Sequence, residues 1–358
     1  MSSSASCRAN DDGDAQGGAG STVSGAALES MSGAFRPPAW LANPHAQSIF
    51  PSLPFRRPGV ERRCRTLREV SRDEILDCGE GVRLLAHRAT QAAIGRPPAT
   101  RMAVLLHGWE GSADSLYVLS LGQFLLDRGF DVVRLNLRDH GDSHHLNEEI
   151  FHSCRIREVV GAVRRLQEME PDRGMNLVGF SLGGNFFLRV GARAAQAGLR
   201  LEQVVAICPV LDPGHTLVRL ERGWALYRNY FVWKWKRSLR RKQAAWPRRY
   251  DLTDALALTN LTDMTDHLVR IYGGYPSLAE YLRGYAIVDD ALASLANPTR
   301  IISAADDPII PASDLARLAR PAALSVTCTG LGGHCGFYDA QRGSTWIERE
   351  VCATLGAA

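Results

Sequence analysis

The chain has no CxxC pair, no HExxH, no glycine-lysine P-loop and no GxGxxG opening a helix. Zinc, nucleotide-phosphate and dinucleotide chemistry are therefore without their usual sequence carriers. Its eight cysteines, at 7, 64, 78, 154, 208, 328, 335 and 352, form no tight framework, and a chain this long builds a core without covalent staples. They read as reduced thiols. Also missing is an apolar run near the roughly 18 residues that a bilayer-crossing helix requires. The longest such stretch is Val204 to Leu211. The N-terminus carries acids where an export signal would carry bases, and no apolar block follows before Phe35. The expectation is a cytoplasmic protein with no transmembrane segment. An excess of one charge is absent too: 42 Lys+Arg stand against 38 Asp+Glu, a net +4, which does not suggest a nucleic-acid partner.

What is present is ordinary globular composition, 45% hydrophobic and 22% charged over 358 residues. Residues 1–33 are mostly Ser, Gly, Ala and Asp, too poor in large apolar side chains to offset the entropy of ordering, and are expected to form a disordered tail. Residues 34–100 read as an N-terminal arm followed by leading strands. In the arm, prolines between Pro37 and Pro54 argue against a regular helix, while Trp40, Leu41, Ile49 and Phe50 offer anchors.

Beyond residue 100 the pattern alternates. Short apolar or β-branched runs at Met102 to Leu106, Val132 to Leu137, Met175 to Gly179, Val204 to Ile207, Thr299 to Ala304 and Leu324 to Thr329 have strand character. Helical periodicity fills Tyr117 to Arg128, Arg155 to Met169 and Gly184 to Ala197. Repeated βαβ units predict an α/β fold, a mostly parallel central sheet with helices on both faces, built from 101–209 and 296–358. Residues 210–295 interrupt it without a clear strand and read as an inserted helical cap. Its run YFVWKWKRSLRRK at 230–242 is basic and aromatic. The plainer reading is a solvated helical face with Trp233, Trp235 and Trp246 partly turned into the core; peripheral contact with an anionic membrane is the alternative.

Chemistry concentrates where strands end. Gly179-Phe180-Ser181-Leu182-Gly183 follows a strand and precedes a helix, the context in which G-x-S-x-G lifts a serine hydroxyl above the sheet edge. That hydroxyl needs a base, and His334, in Gly332-Gly333-His334-Cys335-Gly336 after the last strand, is the candidate. The imidazole needs a carboxylate from the interval between them, which contains Asp306-Asp307-Pro308-Ile309-Ile310-Pro311. Asp307 is favoured, with Asp306 as the alternative acid or a shaper of the loop. The N–H groups of Leu182 and Trp109 are the expected oxyanion donors, Trp109 lying in the His107-Gly108-Trp109-Glu110-Gly111-Ser112 loop after an early strand. His107 reads as a structural residue of that loop. The run Arg138 to His145 invites a metal, but hydrogen-bonded loop shaping explains it without one.

PPAWLANPHAQSIFPSL, HGWEGS, NLRDHGD, GFSLGGN, AADDPIIP and GGHCGF together resemble the YheT-like branch of the α/β-hydrolases, related to the ABHD lipid hydrolases of eukaryotes. The resemblance spans nearly everything after Phe35. It implies an α/β-hydrolase fold, a Ser-Asp-His hydrolase of carboxylic esters with Ser181, Asp307 or Asp306, and His334 as the matching triad, and an arm near Trp40 that wraps the core. The expected activity is a carboxylesterase acting on a small-molecule ester or lipid-like substrate without cofactor. An acyltransferase sharing the acyl-enzyme, or a binding protein on a hydrolase fold, are the alternatives.

Overall fold

The computed structural model of the protein describes residues 35–341 and 343–356. The expected N-terminal tail lies outside them. Eight strands form one sheet: β1 (Arg72–Asp77), β2 (Arg83–Ala89), β3 (Arg101–Leu106), β4 (Asp131–Leu135), β5 (Gly174–Phe180), β6 (Leu201–Ile207), β7 (Thr299–Ala304) and β8 (Leu324–Thr329). Their spatial order is β1-β2-β4-β3-β5-β6-β7-β8. The β1–β2 and β2–β4 pairs are antiparallel, and from β4 to β8 every pair is parallel. Parallel strands point their carboxyl ends the same way, so the loops after β3, β5, β6, β7 and β8 share one edge of the sheet.

Side-chain alternation divides the core into two layers. Along β3, Met102, Val104 and Leu106 join the apolar cluster that contains the helices Ile156–Met169 and Leu182–Gly191. Ala103 and Leu105 join the opposite cluster, with the helices Leu116–Asp127 and Trp346–Thr354. Covering both faces is what lets β3 be apolar throughout.

The boundaries differ from expectation where a local demand wins. β4 ends at Leu135 instead of Leu137: the Asn136 N–H still reaches the Leu85 carbonyl of β2 at 2.9 Å, but the Leu137 N–H goes to His107 Nε2 at 3.3 Å and not to a strand. The helix expected over Gly184 to Ala197 is two helices, Leu182–Gly191 and Ala194–Ala197. The arm is not free of helix: Pro44–Ile49 is a helix whose proline occupies the first turn, where its missing N–H costs nothing, and Asn43 Oδ1 caps His45 and Ala46. Of the expected anchors Leu41 is buried, but Trp40 is 61% exposed; Phe35 is buried instead, against Phe337 and Trp346.

Between β6 and β7 lie the five helices of the cap, Pro213–Arg222, Ala225–Ala245, Thr253–Ala257, Leu261–Ile271 and Leu278–Arg283, with a small core of their own around Leu239, Tyr250 and Met264. The long helix Ala225–Ala245 buries only Tyr227, Leu239 and Lys242. Trp233 is 56% exposed, not turned inward; Trp246 donates its Nε1–H to the His144 carbonyl at 3.0 Å, and Trp235 packs on Trp109. Lys242 ties cap to core: its ammonium reaches Asp139 at 2.9 Å and the carbonyls of Asn147 and Glu149 at 2.7 and 3.0 Å. Truncating either partner of so buried a pair strands a charge, at a cost of about 3–5 kcal/mol. No helix among the described residues is long and apolar enough to cross a membrane.

Candidate active site

The loops at the carboxyl edge, that after β4 included, place the sequence-predicted residues together. Ser181 directly follows β5 at φ 53° and ψ −117°, a strained conformation for a residue with a side chain, and heads the helix Leu182–Gly191. The glycines around it are forced by crowding: a Cβ on Gly183 would stand 2.5 Å from the carbonyl oxygens of both Leu106 and His107. Only such close packing turns the strand into the helix sharply enough to raise the hydroxyl.

The His334 Nε2 lies 3.0 Å from Ser181 Oγ, and its Nδ1 lies 2.8 Å from Asp307 Oδ2. Of the two adjacent aspartates, Asp307 therefore meets the imidazole. Its other oxygen accepts the N–H groups of Ile309 and Ile310 at 2.8 and 2.9 Å, which fixes the carboxylate on the far side from the ring. Asp306 points elsewhere and accepts the Gly333 N–H at 2.8 Å, while burial pushes its carboxyl up from the ordinary value. Burial by itself opposes charge on His334. The Asp307 carboxylate, in contact through a hydrogen bond, and the neighbouring Cys335 outweigh that and hold the imidazole well above its ordinary pKa.

Leu182 is the first residue of its helix, so its N–H is among those the helix leaves unpaired. The loop after β3 comes close on the other side: a Cβ on Gly108 would lie 3.1 Å from Ser181 Cβ and 3.7 Å from Oγ. The next residue, Trp109, stacks its ring on Phe231 and meets Trp235 edge-on, both from the cap. Between core and cap opens a cleft lined by Trp109, Leu182, Val210, Leu220, Trp235 and Leu268 among other mostly apolar side chains.

A matching sequence model describes the alpha/beta hydrolase fold over residues 104–341. The chain belongs to the α/β-hydrolase fold family. Within it the protein falls in the branch of YheT and the ABHD hydrolases. It is 26% identical over 258 residues to the Escherichia coli protein named "Putative esterase YheT", covering 69% of this chain and 74% of that one. To the Bos taurus monoacylglycerol lipase ABHD2 it is 25% identical over 223 residues, 54% of this chain and 50% of the relative. Among solved structures, an esterase of Pyrococcus furiosus superposes with a TM-score of 0.57 at 15% identity, over 82% of this chain and 92% of that one. A serine hydrolase of Cycloclasticus zankles gives 0.51 at 16% identity, over 80% and 95%. These structural likenesses show the fold. Fold and relatives together support a hydrolase.

In this hydrolase the arm supports the His334 loop, a role that residue-level reading missed. Ser48 Oγ accepts the His334 N–H at 2.8 Å and donates to the Pro44 carbonyl at 2.7 Å. Gln47, fully buried, pairs with both backbone groups of Tyr338 at 2.9 and 3.0 Å. Polar Gln and Ser inside the anchoring segment NPHAQSIF were the available signal. Tyr117, also unremarked, accepts the Gly108 N–H at 3.0 Å and steadies the loop beside Ser181.

The histidines near the mouth are structural. His107 is fully buried, its Nδ1 2.7 Å from the Gly108 carbonyl and its Nε2 accepting the Leu137 N–H at 3.3 Å. His140 Nδ1 lies 2.7 Å from the Arg138 carbonyl, and Nε2 accepts the Glu110 N–H at 3.2 Å. Arg138 is held by Glu158 and Glu149. Burial holds His107 well below its usual pKa, His140 at about 4, and His144 and His152 at about 3. Below pH 6.5 the unfolded chain binds protons at these sites that the native state refuses, so acidification removes stability. Between pH 6.5 and 5 the loss is on the order of 2 kcal/mol for each. Asp139, raised to about 6 by burial, and Glu110, raised to about 8 by burial, work the other way across the same window and together offset about two of the four. Denaturant melts at pH 7.5 and 5 are expected to show clearly lower stability at pH 5; equal midpoints would contradict neutral burial.

Proposed function

We propose that this hydrolase is a serine esterase acting through an acyl-enzyme on Ser181. The observation that carries the reading is the continuous line from Ser181 Oγ through His334 to Asp307, at 3.0 and 2.8 Å. The form that acts as base is the neutral imidazole, in which Asp307 beside Nδ1 keeps that nitrogen protonated and leaves a lone pair at Nε2; the raised pKa of His334 means that this form, and with it the rate, grows as pH rises. Ser181 passes its proton there as Oγ attacks the ester carbonyl. The Asp307 charge stabilises the imidazolium that forms. The Leu182 and Trp109 N–H groups receive the developing oxyanion. His334 returns the proton to the leaving alcohol, and water repeats the sequence to release the acid.

The substrate reading follows from the cleft. It opens at Trp109 and Leu182, the residues assigned to the oxyanion, and continues between core and cap with apolar walls. An acyl chain would extend into it, while a charged acyl group would lose its hydration without a partner. Medium-chain carboxylic esters are therefore the proposed class. A panel of p-nitrophenyl esters from acetate to palmitate tests this, together with Leu217→Trp, which adds bulk to a cleft-lining residue on the cap. The expected result is a preference for chains longer than acetate, and in the variant a fall of at least about tenfold for the long esters with acetate little changed. Equal turnover along the panel in both proteins would refute the acyl-pocket assignment.

A further inference from the structure

We infer that Cys208, Cys335 and His334 form a site for a thiophilic divalent cation of the Zn²⁺ class, and that its occupation silences the hydrolase. The silencing rests on the proposed role of His334; the binding does not. Cys208 directly follows β6, next to the strand that ends at Ser181, and Cys335 follows His334 in the loop after β8. The two sulfurs and a ring nitrogen lie within 4.8 Å of one another. No other group of three such residues gathers among the described residues. The ester chemistry uses neither thiol.

Two sulfurs and an imidazole are a donor set that suits Zn²⁺ and Cd²⁺. Bonds of about 2.3 Å to sulfur and 2.0 Å to nitrogen put neighbouring donors about 3.5–3.8 Å apart in a tetrahedron, so the three side chains need to close by at most about 1.3 Å. Cys208 is the fixed donor: it is buried, and its N–H is held by the Ile302 carbonyl at 2.7 Å. Its sulfur already accepts the Cys335 N–H at 3.3 Å. Cys335 is the adjustable one, half-buried, with its thiol near the Ile207 carbonyl at 3.6 Å and in contact with the two other donors, Cys208 and His334. Ser181 and His334 are likewise only partly buried, which leaves a way in from the mouth.

Binding exchanges two protons shared among Cys208, Cys335 and His334 for the cation, the protons going to solvent and no electron being transferred. The imidazole lone pair or the ring orientation is then committed to the metal, and Ser181 loses its base. Three protein donors leave a fourth position for water or the Ser181 oxygen.

The test titrates Cd²⁺ into the full-length reduced protein and follows the ultraviolet thiolate-to-metal charge-transfer absorbance, in wild type, Cys208→Ser, Cys335→Ser and Cys335→Ala. In parallel, Zn²⁺ is titrated into p-nitrophenyl butyrate assays, each protein normalised to its own metal-free rate, and EDTA is added at the end. The expected result is absorbance that saturates near one equivalent in wild type and is lost in all three variants. Zn²⁺ inhibition should be reversed by EDTA and its midpoint raised at least about tenfold by each substitution. Absorbance and inhibition unchanged across the variants would overturn the site. A wild type without esterase activity would count against the proposed function alone, since the absorbance still decides binding.

Discussion

Replacing Ser181 by alanine is expected to lower ester turnover by about 10⁴ to 10⁶-fold while the protein folds as before. Among the described residues the Ser181 oxygen has one hydrogen-bond partner, His334, so the fold draws little from it. The strained backbone at φ 53° is set by the neighbouring glycines and by the Ser181 N–H bond to the Ile207 carbonyl at 2.8 Å, and both survive the change. What disappears is the nucleophile. Residual rate from the oxyanion donors and the cleft is all that remains. Steady-state kinetics with p-nitrophenyl butyrate, beside a thermal melt, reads both halves. A variant that melts like wild type and keeps a tenth of its activity would remove the acyl-enzyme from consideration. Labelling of wild type, but not of the variant, by a fluorophosphonate would place the acyl group on this residue.

The second large effect separates two adjacent acids. Asp307→Asn should cost about 10⁴-fold in kcat, and Asp306→Asn less than tenfold. Asparagine at 307 still accepts from Ile309 and Ile310 through its carbonyl oxygen, which turns its NH₂ toward His334 Nδ1. A donor there favours the tautomer with the proton on Nε2, and that ring has no lone pair for Ser181. Asparagine at 306 keeps an acceptor for the Gly333 N–H, so the loop stays in place. The reverse ranking of the two variants would move the acid role to Asp306.

The choice between these aspartates marks how far residue patterns reach. Asp307 was favoured on its sequence pattern, the acid in this kind of loop being typically followed by one residue, two aliphatics and a proline; that its carboxylate also accepts the Ile309 and Ile310 N–H groups is visible only in the structure. In space Asp307 meets the His334 ring, and Asp306 meets the Gly333 N–H. By contrast, β1 carries Arg72, Asp73, Glu74 and Asp77, the charge load of an exposed edge strand, and its period-two signal is weak. The arm was misread because its five prolines suggest extended chain, whereas Pro44 sits in a first turn where it does no harm. Trp233 was expected to turn partly inward from a basic run, yet the helix Ala225–Ala245 presents it to solvent and buries Lys242 instead.

Local order, and which residues are candidates for the chemistry, were legible in the sequence alone. Apolar alternation makes the strands of the parallel sheet, and Gly179, Gly183 and Ser181 make the turn between strand and helix. Only the tertiary structure decided what meets across long separations: Ser48 with His334, Lys242 with Asp139, Cys208 with Cys335, and the cap over Trp109. These contacts depend on how the loops at one sheet edge fold over each other. Their energies come from burial and from hydrogen bonds between residues with no fixed spacing, and spacing is all that a linear pattern records.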